Sequence, residues 1–308
     1  TVPSARTLGR CHLGVAVHEL QLLGAPDPLA RRGHHGVAGL LGDQRHRRAG
    51  QAAAARGDRD NLVPNLAACL AHPDPKIRDA LAYTSLATWL RADAVSPAAR
   101  AGLMVTLLGE LALARSDPAG FQAPFAALVL AEVARTDRVA AWLSVEERET
   151  LVSAAADYLS GVRDYRGFTD GEGWRHGVAH GADFVMQLVL NPALDAAARR
   201  RLLDAVASQV APVGAPPYVH TESERLARPV LLALGLGAFD KDSWKAWLDG
   251  VASPAPMASW DEAWQNEAGL ARRHNLRGFL LALHAGISGQ ESLADYLPAV
   301  ENALRASQ

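Results

Sequence analysis

Aromatic residues are absent from the first 82 positions of this 308-residue chain, since all 18 Phe, Trp and Tyr residues follow that point. Residues 1–60 also contain no Lys, Ile or Asn, and they hold nine Arg and five His against only five Asp plus Glu. Because a core needs large side chains, this composition argues against a packed domain there. We predict that residues 1–60 are an atypical segment, either a flexible basic arm or a stretch translated from GC-rich DNA in the wrong frame.

Cysteine is scarce, and Cys11 and Cys69 provide neither a disulfide framework nor a cysteine-based zinc motif. The formal net charge of −2 lacks the broad basic character of proteins that bind nucleic acid. No apolar stretch reaches the roughly 18 uninterrupted residues of a membrane-spanning helix. We therefore expect neither nucleic acid nor a membrane as a partner. We expect a cytoplasmic location, and a periplasmic or secreted one stays open because the true N-terminus is not visible.

A helical pattern with short connections, punctuated by Pro and Gly, begins at Asn61. No segment shows the sustained alternation and β-branched enrichment of strands. We predict an all-α fold in which residues 61–308 form a single α-solenoid-like domain. Its architecture is an irregular HEAT/armadillo-like array of antiparallel helix pairs, about 40 residues each. The predicted helices cover residues 62–71, 76–91, 97–115, 121–135, 144–162, 172–190, 195–210, 222–236, 240–251, 260–284 and 290–305.

The most informative segment is 172–190, a long apolar run without proline that predicts a buried helix. A single polar stripe interrupts it at steps of four, three and four: His176, His180, Asp183 and Gln187. At about 100° per residue these side chains share one face of the helix. Buried polar groups need partners, so the stripe must meet other side chains, water, a ligand or a metal.

Two further patterns concern the ends and the neighbours of this helix. Thr169 and Glu172 have the spacing of a capping box and would begin the striped helix. Ser144, followed by Glu146 and Glu147, would cap the start of the helix at 144–162 in the same way. Gly173, Gly177 and Gly181 recur every four residues, which predicts a second stripe where another helix approaches closely.

Four motifs resemble, in the same order, a bacterial family. They are KIRDALAYTSLATWL at 76–90, RDYRGFTDGEGWRHGVAHGAD at 163–183, ERLARPV at 224–230 and LARRHNLRGFLLAL at 270–283. The family is the domain-of-unknown-function family 2785, and the resemblance covers roughly residues 61–305. It implies an all-helical, HEAT-like fold and a bacterial origin, and it implies no reaction. Residues 1–60 have no counterpart in it.

Three interpretations of the polar stripe stay open. The first is a buried hydrogen-bond network that ties the helix to its neighbours. The second is a polar pocket for an organic ligand, with Trp174 at its mouth and Arg166, His274 and Asn275 as further candidates. His220 lies in a Pro/Gly-rich loop that could act as a lid, while Glu222 is interpreted as part of an ion network between helices.

The third interpretation is a divalent metal ion held by His176, His180 and Asp183. Two imidazoles at i and i+4, followed by a carboxylate one turn later, suit zinc. The sequence has no G-x-S-x-G, P-loop or dinucleotide fingerprint. We therefore predict a binding or scaffold module for a protein, peptide or small-molecule ligand, with a polar pocket around the striped helix. The alternative is a metal-dependent hydrolase or small-ligand-binding enzyme that uses the same three residues.

Overall fold

The computed structural model describes residues 41–113 and 117–308, with side chains described from residue 55 onward. The chain divides into two compact units, Thr1–Thr106 and Leu107–Gln308. Helix α1 (Leu41–Cys69) runs through residue 60 without a break, so the boundary predicted there falls inside an element. The predicted domain division stays a prediction, and residues 1–40, with Cys11, lie outside the described residues.

In the first unit, α1 packs against a π-helical segment α2 (Lys76–Tyr83) and against α3 (Thr84–Arg91). Helix α1 is longer than the predicted 62–71, because the Ala- and Arg-rich stretch before it also has high helix propensity. Proline lacks a backbone N–H, so the segment His72-Pro73-Asp74-Pro75 separates α1 from α2. Leucines at helical spacing are buried: Leu62, Leu66, Leu70, Leu86 and Leu90.

The second unit begins inside α4 (Pro97–Ala112). Two 3₁₀ helices, Trp260–Gln265 and Glu291–Tyr296, lie between its last three α-helices. Its further helices are α5 (Gln122–Val139), α6 (Val145–Gly161), α7 (Gly177–Val189), α8 (Ala196–Ser208), α9 (Glu222–Gly235), α10 (Lys241–Val251), α11 (Glu267–Ser288) and α12 (Leu297–Ala306).

Side-chain caps explain where several of these helices begin. The Ser cap predicted at Ser144, with acids in the first turn, is confirmed and forms a complete capping box. The Ser144 hydroxyl accepts from the Glu147 backbone N–H, and the Glu147 carboxylate accepts from that of Ser144. Asp195 caps α8 by accepting the Ala198 N–H at 2.8 Å. Local chemistry of this kind acts within a few residues and is readable from sequence.

The capping box predicted at Thr169 and Glu172 is wrong. Thr169 belongs to strand β1 (Phe168–Thr169), which pairs antiparallel with β2 (Gly173–Trp174). Gly171, with a φ of 80°, follows Asp170 in the turn, and an Asp-Gly pair is a strong hairpin signal. Helix α7 consequently begins at Gly177 rather than at residue 172. Gly173 therefore lies in the hairpin and not on the predicted glycine stripe.

Helix α7 lies in the middle of the second unit. The helices α5, α7, α9 and α11 pack side by side in that order, while α6 packs on both α7 and α8. The close approach predicted from Gly177 and Gly181 is confirmed against α6. A Cβ added at Gly181 would lie 3.0 Å from Leu159 Cδ1 and 3.1 Å from Tyr158 Cε1. The apolar faces of α7 are buried around Phe184, Val185 and Leu188.

The all-α class is confirmed, since the strands in the described part of the chain are those of the small hairpin. The regularity of a HEAT-like array stays a prediction. Across the described ranges, no helix combines the length and the apolar character that crossing a lipid bilayer requires.

Candidate functional site

The polar stripe of α7 is largely satisfied by neighbouring helices and loops. His180 Nδ1 donates to the Pro124 carbonyl of α5 at 3.1 Å, and Gln187 Oε1 accepts from Arg138 Nε at 3.2 Å. Asp183 forms a two-pronged ion pair with Arg225 of α9. These bonds favour the network interpretation for the C-terminal three members of the stripe, because each ties α7 to a helix beside it.

The geometry does not support a metal ion on the stripe. His180 and Asp183 use their polar atoms on Pro124 and Arg225, as described above. His176 Nε2 donates to the His220 carbonyl at 2.6 Å, so the three groups point to three different partners. In the part of the chain that the structure describes, no group of three or more His, Cys, Asp or Glu is arranged to hold a metal. Zinc needs such ligands to converge at about 2 Å.

Four side chains converge instead where α7 and α9 begin: Trp174, His176, His220 and Glu222. The indole of Trp174 stacks on the His176 ring, with centroids 4.7 Å apart and planes 23° apart. The His220 ring meets the indole edge-on at 5.8 Å. Glu222 Oε2 accepts the His220 backbone N–H at 2.8 Å. Its Oε1 lies 3.7 Å from His220 Nδ1 and 3.9 Å from His176 Nε2.

Backbone strain marks the same place. His176 precedes α7 with a φ of 58°, and Thr221 precedes α9 with a φ of 68°. Of the three non-glycine residues with positive φ among those described, two are therefore at this cluster. Such conformations cost about 1–3 kcal/mol each and are concentrated at functional sites. At these two turns the His176 and His220 rings come together edge-to-face, with centroids 6.5 Å apart, and both lie within 4 Å of Glu222 Oε1.

Gly167 makes the position of the His220 ring possible. A Cβ at residue 167 would lie 2.2 Å from His220 Nδ1 and 2.5 Å from its Cγ. Such distances are far below van der Waals contact, so the ring rests directly on the glycine backbone. Only glycine leaves this space open.

A surface cleft of about 490 Å³ opens beside the cluster. Its walls include Tyr165, Phe168 and Val219, and its polar side chains are Arg166, Thr169, His220 and Glu222. A volume of this size, with mostly apolar walls and few polar groups, is typical of sites for small molecules. Trp174, which is 37% exposed, lies next to it through its edge-to-face contact with Phe168 at 5.1 Å.

Burial sets the charge state of His176. It lowers the pKa of this imidazole to about 4, since the charged form would lose its hydration; the neighbouring Arg225 and His220 lower it further, against the hydrogen bond to the His220 carbonyl. His176 is therefore neutral at pH 7. Its Nε2 must carry the proton, because the carbonyl that it contacts can only accept.

Several predicted pocket residues play other parts. Asn275 Oδ1 accepts the Tyr218 N–H at 2.7 Å, and its Nδ2 donates to the Pro216 carbonyl at 2.9 Å. His274 Nε2 donates to the Tyr218 carbonyl at 3.2 Å. These two residues of α11 hold the loop that carries His220 and do not line the cleft. Arg166 does line it, with its guanidinium paired to Asp164.

Sequence reasoning underrated His220 and Glu222. His220 was expected at most as part of a lid, and Glu222 as one member of an ion network. Both lie 44 or more residues after His176 in the chain, and only the packing of α9 on α7 brings them together. A usable signal was present: two ionisable residues at i and i+2, one just before a predicted helix and one at its first position, after a Pro-rich loop.

The fold and the cleft define an all-α protein with a surface cleft that His220 and Glu222 line. A family model narrows this class: the chain belongs to the protein family of unknown function DUF2785, whose model matches residues 107–285, more than half of the 308 residues. The matched range contains the whole cleft and all four residues of the cluster. We find no significant match among curated proteins and none among solved structures.

Proposed function

We propose that this protein is a ligand-binding module and that its binding site is the cleft where α7 and α9 begin. One observation carries the proposal: Glu222 is only 3% exposed and yet lines the cleft, beside the His176 and His220 rings. The strained backbone of Thr221 directly precedes it. Burial of a carboxylate and strain in two non-glycine residues both cost stability. A purely structural contact gains nothing from either cost, whereas a preformed binding site does.

Binding fits the chemistry of the cleft better than catalysis does. The one aliphatic hydroxyl among the residues that line it belongs to Thr169, and Arg175 Nη1 lies 3.4 Å from that oxygen, so no base is bonded to it. His220 Nδ1 is 3.7 Å from Glu222 Oε1, so the short hydrogen bond that orients a general base is not formed in this structure. The hydrolase alternative needs His176, His180 and Asp183 to bind one metal ion. The two rings are in contact, with centroids 5.7 Å apart, but each of the three residues bonds to a different partner.

A thermal-shift screen of metabolites against two matched variants tests the proposal. Val219 and Val213 are both 69% exposed in the connection between α8 and α9, but only Val219 lines the cleft. We expect ligands that raise the Tm of the wild type to raise that of Val213→Trp equally. Their effect should be lost in Val219→Trp, whose indole fills the cleft, because a ligand stabilises only the state that binds it. Ligands that stabilise both variants alike, or a screen without ligands, would contradict the proposal.

A further inference from the structure

The open hydrogen-bonding position in the cleft is Oε1 of Glu222. The other carboxylate oxygen accepts the His220 N–H, as described above. The imidazole nitrogens nearest to Oε1 lie at 3.7 and 3.9 Å, and the His176 proton is already used on a carbonyl. Among the contacts of the described residues, this oxygen therefore has no donor within hydrogen-bond distance. The side chain is nevertheless only 4% exposed, and it lines the cleft.

No arginine forms an ion pair with this carboxylate among the described residues. Arg225 is paired with Asp183, and Arg166 with Asp164. The first turn of α9, where Glu222 lies, carries a partial positive charge that helps to stabilise an anion. That contribution is about half an elementary charge or less. Oε1 is not among the buried polar atoms that lack a partner in the described residues, so it is open to the cleft. A carboxylate oxygen open to the cleft presents a negative acceptor that a positively charged donor suits best.

The walls of the cleft suit the same kind of group. Tyr165 and Phe168 supply aromatic rings, and Phe168 is 46% exposed. The face of an aromatic ring attracts an ammonium or a guanidinium, and apolar carbons beside the charge can pack on the same surface. An anionic ligand would meet Glu222 unfavourably, and a neutral one would leave its charge unpaired.

We propose that the ligand carries a cationic N–H group, an alkylammonium or a guanidinium, which donates to Oε1 of Glu222 while the adjoining apolar part lies against Phe168 and Tyr165. This inference rests on the proposed function and names the chemistry of its ligand. The same group occurs on free amines and on the Lys and Arg side chains of peptides. The cleft volume of about 490 Å³ accommodates either source.

Three probes of similar shape test the charge: phenethylamine is a cation, 2-phenylethanol is neutral and 3-phenylpropanoate is an anion. We expect calorimetry on the wild type to show phenethylamine binding about tenfold or more tightly than either of the others. Glu222→Gln keeps the shape and removes the charge, and it should lose this preference. Glu224→Gln, on the exposed face of the same helical turn, should keep it.

The outcomes separate this inference from the function on which it rests. If 2-phenylethanol or 3-phenylpropanoate binds as tightly as phenethylamine, and Val219→Trp abolishes that binding, the cationic ligand is refuted while the binding site stands. Binding of none of the probes also refutes the inference, and the metabolite screen then decides on the site. Should Glu222→Gln fail to fold, the comparison of probes on the wild type still decides. A tripeptide, acetyl-Ala-Lys-Ala-amide, that binds more tightly than phenethylamine assigns the cation to a peptide; weaker binding assigns it to a free amine.

Discussion

Replacing His180 by alanine should destabilise the second unit markedly. The imidazole is only 6% exposed, donates from Nδ1 to the Pro124 carbonyl, and packs edge-to-face on Phe125 with centroids 5.2 Å apart. The lost hydrogen bond costs about 1 kcal/mol, and the lost ring pair about 0.5–1.5 kcal/mol more. With the cavity that remains, we expect the free energy of unfolding to fall by about 2–3 kcal/mol.

Urea unfolding followed by tryptophan fluorescence measures this change. His284→Ala is the matched control, because His284 lies on α11 with its side chain 39% exposed and should shift the unfolding free energy by less than about 0.5 kcal/mol. A His180→Ala midpoint equal to that of the control, at an unchanged m-value, would refute the reasoning. It would mean that water or a shift of α5 replaces the imidazole at no cost.

Three further predictions concern the cleft and one buried ion pair. Gly167→Ala should displace the His220 ring and weaken ligand binding about tenfold or more, measured by calorimetry, because the new methyl group overlaps Nδ1. The pKa of His176 is lowered to about 4 in the folded protein, from 6.5 in the unfolded chain, so the unfolded chain binds a proton more readily. The free energy of unfolding, measured in urea, should therefore be highest above pH 6.5 and fall by at most about 3 kcal/mol as the pH is lowered toward 4. Asp137→Ala should cost about 3–5 kcal/mol in the same assay, whereas the exposed Asp157→Ala should cost almost nothing.

Each of these predictions has a comparison that can contradict it. Gly161→Ala places its methyl group in open space, so it should leave binding unchanged. His176→Asn keeps a residue that tolerates positive φ and removes the titrating ring, so its stability should depend less on pH between 6.5 and 4. An equal pH dependence in this variant would assign the effect to other groups. For Asp137, a loss no larger than that of Asp157→Ala would show that its bonds to Arg148 and Asn191 contribute nothing.

The helix α7 combines two tasks that the sequence shows as one stripe. Its last three polar residues bind to α5 and α9 and stabilise the packing of the helices. His176, at the N-terminal end, donates to the carbonyl of His220 in the loop before α9, and His220 lines the cleft. If the proposed function holds, a helix bonded to its neighbours along its length is a suitable support, because it keeps the side chains beside the cleft in position.

What the sequence by itself determined is the local and periodic part of the protein. The apolar periodicity predicted the helices, the Ser144 cap predicted the start of α6, and the stripe drew attention to His176. These interactions join residues within one or two helical turns, so they appear directly as patterns in the sequence. The start of α7 was misplaced because Thr169 fits a capping box and a hairpin equally well, and only its pairing with Gly173 decides between them.

Only the tertiary structure decided which polar residues meet. The approach of α9 to α7 brings Glu222 and His220 to His176, and the approach of α5 gives His180 a carbonyl partner. Such encounters join residues 44 to 56 positions apart. They depend on how buried surfaces fit together over the whole unit, and a single sequence carries no local pattern for that fit. The cleft exists for the same reason, since its walls come from two separate stretches of chain that the packing of these helices brings face to face.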